Sequence, residues 1–423
     1  MPALQEFMKE IVARIPEATP IRKKLKTAKK PPSFPQERVL DVKAVFNLLP
    51  AREVADRCVD LYVNTFETTY RVLHLPSFWK EYDQMWTDAD NARPGFIIIV
   101  LLMVAAAYCM RDDYSPQLEG MSTVDRNYCC NLVENCEAWI RRQSRKHVDI
   151  SYVQTHVLLF IAKLAITYKR KRTWQEAGNL KQLAVAMGLH QDLETVNAQN
   201  DKKSKKTSVF DQEMRRRLWY TISELELQAG LDRGTPSLLP ALAVDCGVPI
   251  NCEDDDFDYK SHKLPISRPV ECFTRATYLC TMSQSFSLRQ EISSVLNSKD
   301  EETLARKRIW YTDRILQLSE KGNAWDGREC AFSQSLMSLH LHQLVICLNR
   351  RFIKASTDQI HASRFYVAKA AEAIIDIYRR GKIGLHEQRL LVAIRQDLGI
   401  AALALCDTRS DGQVRNETSD SCS

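Results

Sequence analysis

The sequence predicts an all-α protein, and three observations support that prediction. Long segments of the chain repeat apolar residues three or four positions apart, which is the spacing of one face of an α-helix. Glycine and proline are scarce, with 13 and 15 residues in a chain of 423, so few turns are available to join many short strands. We find no series of strands alternating with helices, which a parallel sheet would require. We therefore expect one large, irregular multi-helix domain.

The sequence divides into a long body with a short extension at each end. Residues 1–45 hold a short amphipathic helical segment, EFMKEIVARI, then a basic run and a linker with three prolines, KKPPSFPQER. Residues 46–405 carry helical periodicity almost throughout and are long enough to bury a sizeable core. Residues 406–423 are polar, and we expect that tail to be disordered.

The first helices of the body are separated by a proline. Apolar residues at helical spacing predict a helix in AREVADRCVDLYVNTFETTYRVLH, residues 51–74. Pro76 favours extended backbone at His74 and Leu75, after which FWKEYDQMW starts a second helix. The next segment, FIIIVLLMVAAAYCM at 96–110, is apolar on every face but only 15 residues long. A helix that spans a bilayer needs about 20 residues, so we predict that this one is buried in the core.

Helices near residues 122–145 and 153–169 lead to a helix whose end is marked in the sequence. The segment TWQEAGNLKQLAVAMGLH, from Thr173 to His190, has an apolar stripe at helical spacing. Gly188 followed by Leu189 fits a glycine cap at a helix C-terminus, with Leu189 supplying its hydrophobic contact. We expect the following DKKSKKTS, residues 201–208, to be a solvated loop.

The segment EMRRRLWYTISELELQ, residues 213–228, resembles a basic recognition helix at first sight. Its apolar residues instead form one stripe along a helix, which predicts burial. The stripe consists of Met214, Leu218, Ile222, Leu225 and Ala229. Glu224 and Glu226 follow the arginines, so the helix is not basic overall. We interpret the three arginines as a charged rim on a buried helix in which Trp219 and Tyr220 pack against neighbours, with Gly234 and Pro236 ending it.

Glu213 precedes Arg217 by four positions, the favourable order for an ion pair within a helix. Beyond the helix, residues 245–259 form an irregular acidic stretch. We expect its acidic run, residues 253–258, to be a solvated structural loop, and an activation or partner surface is the alternative. Helical periodicity then predicts the remaining elements, at about 269–297, 300–320, 329–353, 358–380 and 385–405.

The net charge of +6 is concentrated in one segment near the N-terminus. IRKKLKTAKK, residues 21–30, holds six cations and no acid, and the rest of the chain is balanced. The six are Arg22, Lys23, Lys24, Lys26, Lys29 and Lys30. A run of this kind is typical of nuclear import or of phosphate contact beside a DNA site, and a solvated linker remains the alternative. The folded body has no basic bias towards nucleic acid.

The sequence holds none of the common catalytic motifs. There is no G-x-S-x-G elbow, no G-x-x-x-x-G-K-[ST] phosphate loop and no H-E-x-x-H pair. His340 and His342 lie two positions apart on a predicted helix and therefore point to different faces. His190, close to Asp192, is interpreted as a histidine at a helix end. We predict that the protein is not an enzyme, and a helical enzyme with a dispersed site is the alternative.

The cysteines and acidic residues do not predict a metal site. Thirteen cysteines are scattered through the chain without a C-x-x-C pair, which indicates reduced thiols rather than disulfides or a zinc cluster. The acidic run at 253–258 lacks the spacing of a calcium-binding loop. We therefore expect no metal or other cofactor in this chain, and the sequence identifies no residues of a small-molecule site.

Several motifs, taken in order, resemble one family. YVNTFETTYRVLHLPSF is similar to the segment that opens the regulatory domain of fungal-specific transcription factors, the binuclear zinc-cluster regulators. TWQEAGNLKQLAVAMGLHQDL resembles their Trp-containing helix that ends in a Gly-Leu-His corner. EMRRRLWYTISELELQAGLDRGTPSLLPALAVDCGVPINCEDDDF resembles their most characteristic block, and SLMSLHLHQLVICLNRRF a later helix. The matches cover about residues 46–380.

The resemblance implies an all-helical regulatory domain in a nuclear protein that controls transcription, often of a metabolic or secondary-metabolite gene set. It implies structural roles at the positions that match the motifs, namely His74, Pro76, Trp174, Gly188, His190, Arg216, Trp219, Arg233, Gly234 and Pro236. The partners it implies are other regulators, a second copy of the chain and a small-molecule effector. No membrane partner is expected.

The chain departs from the family pattern at its N-terminus. The family binds DNA through six cysteines in a short cluster, whereas the first cysteine here is Cys58, so the zinc cluster is absent from this chain. Two explanations stay open. Sequence upstream of Met1 supplies the DNA-binding module, and DNA is then a direct partner. Alternatively, the protein is an interaction module that dimerises with a complete regulator and titrates it.

Overall fold

The structure is a computed structural model that describes residues 42–110, 123–143, 149–192, 208–237, 244–353, 359–379, 383–395 and 398–406. Within these residues the regular structure is helical, and the only β-type pairing is a single bridge between Gln191 and Asp245. The predicted all-α fold is therefore confirmed. The N-terminal segment 1–41, with its basic run, lies outside the described residues, as do residues 201–207 of the loop predicted at 201–208 and most of the C-terminal tail.

The first half of the fold is built around one apolar helix. Its six helices are α1 (Val42–Phe46), α2 (Arg52–Thr65), α3 (Leu75–Thr87), α4 (Pro94–Ala107), α5 (Thr123–Arg142) and α6 (Ile150–Ala165). Every residue of α4 from Phe96 to Ala107 is buried, and α4 packs against α1, α2, α5 and α6. This confirms the predicted core helix. No helix of the described residues is both long enough and apolar enough to cross a membrane.

Two helices in the middle of the chain end as the sequence predicts. They are α7 (Thr173–Ala186) and α8 (Val209–Arg233), which pack against each other. Gly188 follows α7 with φ +68°, and the Leu189 N–H donates to the Ala184 carbonyl at 3.0 Å. Gly234 ends α8 in the same way, with φ +69°. A side chain at either position would be strained in this left-handed conformation, which explains why glycine ends both helices.

The C-terminal half adds a second group of helices. They are α9 (Thr277–Gln284), α10 (Phe286–Asn297), α11 (Glu301–Asn323), α12 (Ala331–Arg350), α13 (Gln359–Arg379), α14 (Leu385–Ile394) and a helical segment at 398–406. Helix α12 packs against both α11 and α13, while α9 and α10 pack against α8. One continuous apolar core runs through both halves of the fold.

Several predicted helix boundaries are wrong: the helix predicted at 269–297 is divided at Ser285, the one predicted at 385–405 ends at Ile394, and three further boundaries differ for reasons that the contacts show. The helix predicted at 51–74 ends at Thr65, because the Glu67 side chain accepts hydrogen bonds from the backbone N–H groups of Val72 and Leu73, a pairing that replaces helical bonds. His74 is extended, as predicted before Pro76, but Leu75 already belongs to α3.

The other two errors lie further along the chain. The helix predicted to reach residue 169 ends at Ala165, where the backbone turns through positive φ at Thr167 and Lys169. The helix predicted from residue 269 begins only at Thr277. The preceding residues are held instead by buried Asn251, whose Nδ2 donates to the carbonyl groups of Arg268 and Pro269.

Candidate functional site

Helix α8, the most characteristic segment of the sequence, lies in the interior of the fold. Seventeen of its 25 residues are buried, including all five of the predicted apolar stripe. Trp219 and Tyr220 are buried as expected. The interpretation of the arginines as a charged rim is wrong, because Arg217 is fully buried and Arg215 and Arg216 are half-buried. Each of the three arginines donates hydrogen bonds to acceptors in another segment of the chain, whereas an arginine on an exposed rim would be solvated by water.

Arg217 belongs to a buried group of five charged side chains that we call the ionic junction: Glu67, Arg71, Glu213, Arg217 and Asp254. Asp254 is its centre. Its Oδ1 accepts hydrogen bonds from Arg71 Nη2 and Arg217 Nη1, each at 2.5 Å, and its Oδ2 accepts from the Leu75 backbone N–H at 2.8 Å. One carboxylate thus joins α8 to the start of α3 and to the segment before it.

The two glutamates complete the junction from its two sides. Arg217 Nε donates to Glu213 Oε1 at 2.9 Å within α8, which confirms the predicted i,i+4 pair, and the same oxygen accepts from the Ile250 N–H at 3.1 Å. On the other side, Glu67 lies 3.5 Å from Arg71. Because a buried charge is tolerated only when it is paired and hydrogen-bonded, these contacts fix how three distant segments pack.

The junction has three carboxyl groups for two guanidinium groups, and its pKa values differ accordingly. Arg71 and Arg217 hold the pKa of Asp254 well below its usual range despite burial. Burial raises the pKa of Glu67 to about 7, although Arg71 and the two backbone N–H groups oppose that shift. Burial also raises the pKa of Glu213. Burial thus favours the protonated form of both glutamates, whereas Asp254 stays ionised between its two cations.

His74, one of the residues singled out in the sequence, borders the junction. Its Nε2 lies 2.9 Å from the Asp254 carbonyl oxygen and 3.0 Å from that of Phe257, so Nε2 carries the hydrogen and donates. Its Nδ1 lies 2.8 Å from Ser77 Oγ. The acidic run is therefore not the solvated loop that we expected throughout. Asp254 is buried, whereas Asp255, Asp256 and Asp258 are exposed.

A second polar group joins the end of α7 to α8. The Asp192 carboxylate accepts from Arg216 Nε at 2.9 Å and from Gln212 Nε2 at 2.9 Å. The Gly247 N–H also points at it, at 3.3 Å. A Cβ atom on Gly247 would lie 3.0 Å from both Arg216 and Asp192, which is closer than nearly all real contacts. A larger residue at position 247 would therefore have to displace one of these two side chains where the irregular stretch passes the ion pair.

The corner after α7 is held by the first of the three arginines. Arg215 Nη2 donates to the carbonyl groups of Met187 and Gly188, at 3.1 and 2.9 Å, just beyond the end of α7. His190 lies against Trp219, with ring centroids 6.1 Å apart, and burial and the neighbouring Arg215 and Lys181 lower its pKa. This agrees with its interpretation as a helix-end histidine.

Lys181 on α7 is a buried cation that the sequence did not single out. Its Nζ lies 3.5 Å from the centre of the Trp219 ring and is hydrogen-bonded to Ser223 Oγ. Burial lowers its pKa to about 7, although Glu226, Glu224 and Cys246 favour the charged form. The face of the Trp219 ring thus stabilises the ammonium form of Lys181 where water does not reach it.

The remaining residues implied by the family motifs lie apart from these clusters. Pro76 is in the first turn of α3 beside His74, and Trp174 is half-buried in the first turn of α7. Arg233, Gly234 and Pro236 lie exposed at the C-terminal end of α8. The six cations of the basic run lie outside the described residues. The structure therefore places His74 beside the ionic junction. It brings Gly188, His190, Arg216 and Trp219 together at the corner between the end of α7 and α8.

The described residues line a small cavity and several open clefts. The cavity, of about 20 Å³, lies between α6, α8, α12 and α14 and is lined in part by Tyr70, Gln228, His340 and Arg395. It has room for about one water molecule, far below the ~300 Å³ of a typical small-molecule site. A cleft of about 870 Å³ between α5, α6 and α7 is large enough for a metabolite. Tyr152, His156 and Lys163 line it.

The histidines and cysteines in the described part of the chain form no metal site. No group of three His, Cys, Asp or Glu side chains there is placed to hold a metal ion. His340 is buried beside the Tyr278 hydroxyl, whereas His342 contacts the Ser338 carbonyl, so the two face different neighbours as predicted. No disulfide joins the described cysteines, which agrees with reduced thiols.

Comparison with curated proteins finds transcription factors. The chain is 28% identical over 262 residues to "Transcription factor opdR" of Penicillium oxalicum, which covers 62% of this chain and 31% of that protein. It is 26% identical over 359 residues both to "Fusarisetin A cluster transcription factor fsa6" of Fusarium sp. and to "Equisetin cluster transcription factor eqxF" of Fusarium heterosporum. Those matches cover 79% of this chain, and 46% and 50% of the two relatives.

The chain thus spans half or less of the length of these relatives. No solved structure matches it significantly. The model of the fungal specific transcription factor domain matches residues 59–298, which run from the middle of α2 to the end of α10 and include both the ionic junction and the α7–α8 corner. The match covers more than half of the 423 residues, and the chain belongs to the family of proteins with a fungal specific transcription factor domain.

Proposed function

We propose that the chain is the regulatory region of a nuclear transcription regulator that controls a set of biosynthetic genes. The observation that carries this proposal is the family match over residues 59–298, since it spans the part of the fold with the most buried polar contacts. Relatives named as transcription factors of the fusarisetin A and equisetin clusters support a secondary-metabolite gene set as the target.

The interior of the domain suits a protein whose partners recognise the arrangement of its helices, rather than an enzyme that converts a substrate. The ionic junction links three segments through side chains that solvent does not reach, and a group buried in this way has no access to a substrate. We propose that effectors or partner proteins favour one helix packing over another, and so alter transcription by a shift in population. The cleft between α5, α6 and α7 is where we would first look for an effector.

Transcript profiling in a fungus that carries this gene tests the proposal. We expect deletion of the gene to change the transcripts of a small group of neighbouring biosynthetic genes, and reintroduction of the gene to restore them. A fluorescent fusion of the full chain should accumulate in the nucleus. Unchanged transcripts under conditions that express the gene, or a fusion that stays outside the nucleus, would contradict the proposal.

A further inference from the structure

Helices α11 and α13 expose large apolar side chains, and both lie beyond the residues that the family model matches. Ile309 and Trp310 on α11 are 44% and 50% exposed, and Phe365 on α13 is 61% exposed. Three exposed cations lie one helical turn away from them, namely Arg306, Arg314 and Lys369. We call these six residues the aromatic face. We propose that the aromatic face binds an acidic amphipathic helix of a partner protein, which goes beyond the proposed function because that function names no surface for partners.

Two contacts between α11 and α13 bring the exposed apolar side chains to the same level. Arg308 Nη1 donates to Ser363 Oγ at 2.5 Å, and the Tyr366 hydroxyl donates to Asp313 Oδ1 at 3.2 Å. Since the residue numbers on both helices rise from one contact to the next, the two helices run parallel here. The exposed apolar residues of each helix lie between these two contacts in the sequence, so all three belong to one surface.

Helix α12 supports this surface from the inside. It packs against both α11 and α13. Arg308 is buried, and its Nη1 also donates to Asn349 Oδ1 of α12 at 2.7 Å. Asn349 Nδ2 in turn donates to Thr312 Oγ1 of α11 at 2.9 Å. These contacts fix α11 and α13 relative to each other, so a partner meets a surface that is already arranged for binding, and less ordering is required.

Each aromatic ring of the face has a cation beside it. Arg314 Cζ lies 5.6 Å from the centre of the Trp310 ring, and Lys369 Nζ lies 5.8 Å from the centre of the Phe365 ring. A cation over a ring keeps positive charge next to apolar surface. Aromatic residues and arginine are enriched at protein–protein interfaces, whereas most of a protein surface lacks this combination. The composition of the face therefore favours a protein partner.

The charge around the aromatic face is positive. Residues 305–314 and 361–369 together hold six cations and a single acid, Asp313. The other acids of the two helices lie nearer to the ends of α11 or in the second half of α13, and cations outnumber acids over the whole of both helices, eight to six. The surplus remains when Glu291 of α10, which pairs with Lys307 at 3.0 Å, is included. An acidic partner is therefore favoured, and a second copy that presents the same face would be repelled.

An acidic amphipathic helix fits both the apolar and the charged parts of the face. Because α11 and α13 run parallel and both pack on α12, they leave a shallow groove between them along which a helix can lie. Apolar residues at helical spacing would contact the exposed apolar side chains, and flanking carboxylates would contact the three cations. Single-stranded nucleic acid fits less well, since the aliphatic Ile309 offers no ring for a base to stack on and the exposed Asp313 would repel phosphate.

The test measures the binding of a fluorescein-labelled acidic peptide to the purified full chain by fluorescence anisotropy. The peptide has about 16 residues, roughly 24 Å as a helix, with leucine and phenylalanine at helical spacing and aspartate or glutamate between them. A control peptide carries glutamine in place of every acid. The first test variant, I309Q/W310Q/F365Q, removes the apolar side chains of the face, and the second, R306Q/R314Q/K369Q, removes its cations.

Each test variant has a matched control on another part of the surface. V392Q/L398Q/L403Q removes three apolar side chains that are 39% to 58% exposed. K80Q/R172Q/K263Q removes three exposed cations. Thermal unfolding checks that all four variants are folded, which is expected because every substituted side chain is exposed.

We expect the wild-type chain to bind the acidic peptide at least tenfold more tightly than the glutamine peptide. Each test variant should lose at least tenfold in affinity for the acidic peptide, and the second should also lose most of the salt dependence. The two controls should stay within about twofold of the wild type. A wild-type chain that does not bind the acidic peptide, or controls that lose as much affinity as the test variants, would overturn the proposal.

Two further measurements identify other occupants of the face. If sedimentation shows a wild-type dimer that becomes a monomer in I309Q/W310Q/F365Q, and no peptide binds, a second copy covers the face and the proposal is wrong. A labelled single-stranded oligonucleotide that binds more tightly than the acidic peptide, and is lost in both test variants, would likewise refute it. A chain that regulates transcription but does not bind the peptide would refute this inference alone and leave the proposed function standing.

Discussion

Arg217 in α8 and Asp254 in the acidic stretch, 37 positions later, are joined by a 2.5 Å hydrogen bond between Nη1 and Oδ1 in a fully buried environment. Asp254 also binds Arg71, which lies 183 positions before it. Few contacts in the fold tie such distant segments together through charge. The stability of the domain should therefore depend strongly on this junction.

Loss of the Arg217 side-chain charge should destabilise the domain. Arg217→Met leaves Glu213 without its partner and removes one of the two cations on Asp254, and breaking a buried pair in this way costs about 3–5 kcal/mol. Urea unfolding followed by circular dichroism measures the change. Arg233→Met, at the exposed end of the same helix, is the control and should stay within about 0.5 kcal/mol of the wild type. Equal effects of the two substitutions would show that the junction is not stabilising.

Glu67 should make stability depend on pH in the acid-to-neutral range. Its pKa is about 7 in the folded protein and near 4.5 in the unfolded chain, so between these values the folded state holds a proton that the unfolded state releases. The free energy of unfolding therefore falls as pH rises from about 4.5 to 7. Glu67→Gln keeps an oxygen for the Val72 and Leu73 N–H groups and should flatten that fall.

The measurement for Glu67 is the urea midpoint of wild type and variant at pH 5 and pH 8. The urea midpoint of the variant should rise relative to that of the wild type between pH 5 and pH 8. Glu53→Gln, an exposed glutamate on α2, is the control and should follow the wild type. If the urea midpoints of wild type and E67Q fall by the same amount between pH 5 and pH 8, a group other than Glu67 causes the pH dependence.

Lys181 should have the opposite effect at higher pH. Its folded pKa is about 7 and its unfolded value near 10.5, so in this window the unfolded state binds a proton that the folded state does not. The free energy of unfolding should rise with pH between about 7 and 10 because of this group. Lys181→Met, which keeps an apolar chain over Trp219, should lack that rise. Lys321→Met, on the surface of α11, is the control and should retain the rise. If the free energy of unfolding of K181M rises with pH as that of the wild type does, Lys181 is not the group responsible.

Gly247 should be intolerant of even a methyl group. The Cβ of Gly247→Ala would lie 3.0 Å from Arg216 and Asp192 and would push the pair apart, at a cost of about 1–3 kcal/mol. Gly399→Ala is the matched control, since a Cβ there meets no neighbour within 4 Å and alanine favours its helix. Thermal unfolding should show a lower midpoint for G247A than for G399A, and an unchanged G247A midpoint would contradict the close approach.

Local patterns in the sequence predicted the helices better than their ends. The apolar stripe of α8, the buried α4, the glycine cap at Gly188 and the helix end at Gly234 depend on residues a few positions apart, and the structure confirms them. The end of α2 depends on Glu67, whose carboxylate takes up backbone donors that would otherwise continue the helix. No spacing rule signals that competition.

The ionic junction could not be predicted because its partners are far apart in the sequence. Glu213 and Arg217 were recognisable as an i,i+4 pair, but nothing local indicated that the pair is buried or that Asp254 completes it. Arg71 offered a weak signal, as a single cation between the apolar residues Tyr70 and Val72. Lys181 offered less, since exposed and buried lysines occupy similar positions in amphipathic helices.

The most direct test of the central claim is a tethered-reporter measurement. The full chain is fused to a well-characterised foreign DNA-binding domain, and transcription is measured from a reporter that carries the corresponding binding site. We predict that the fused chain changes reporter transcription at least severalfold relative to the DNA-binding domain alone. Reporter transcription that stays the same, with the fusion protein present in the nucleus at a comparable level, would contradict a role in transcription regulation.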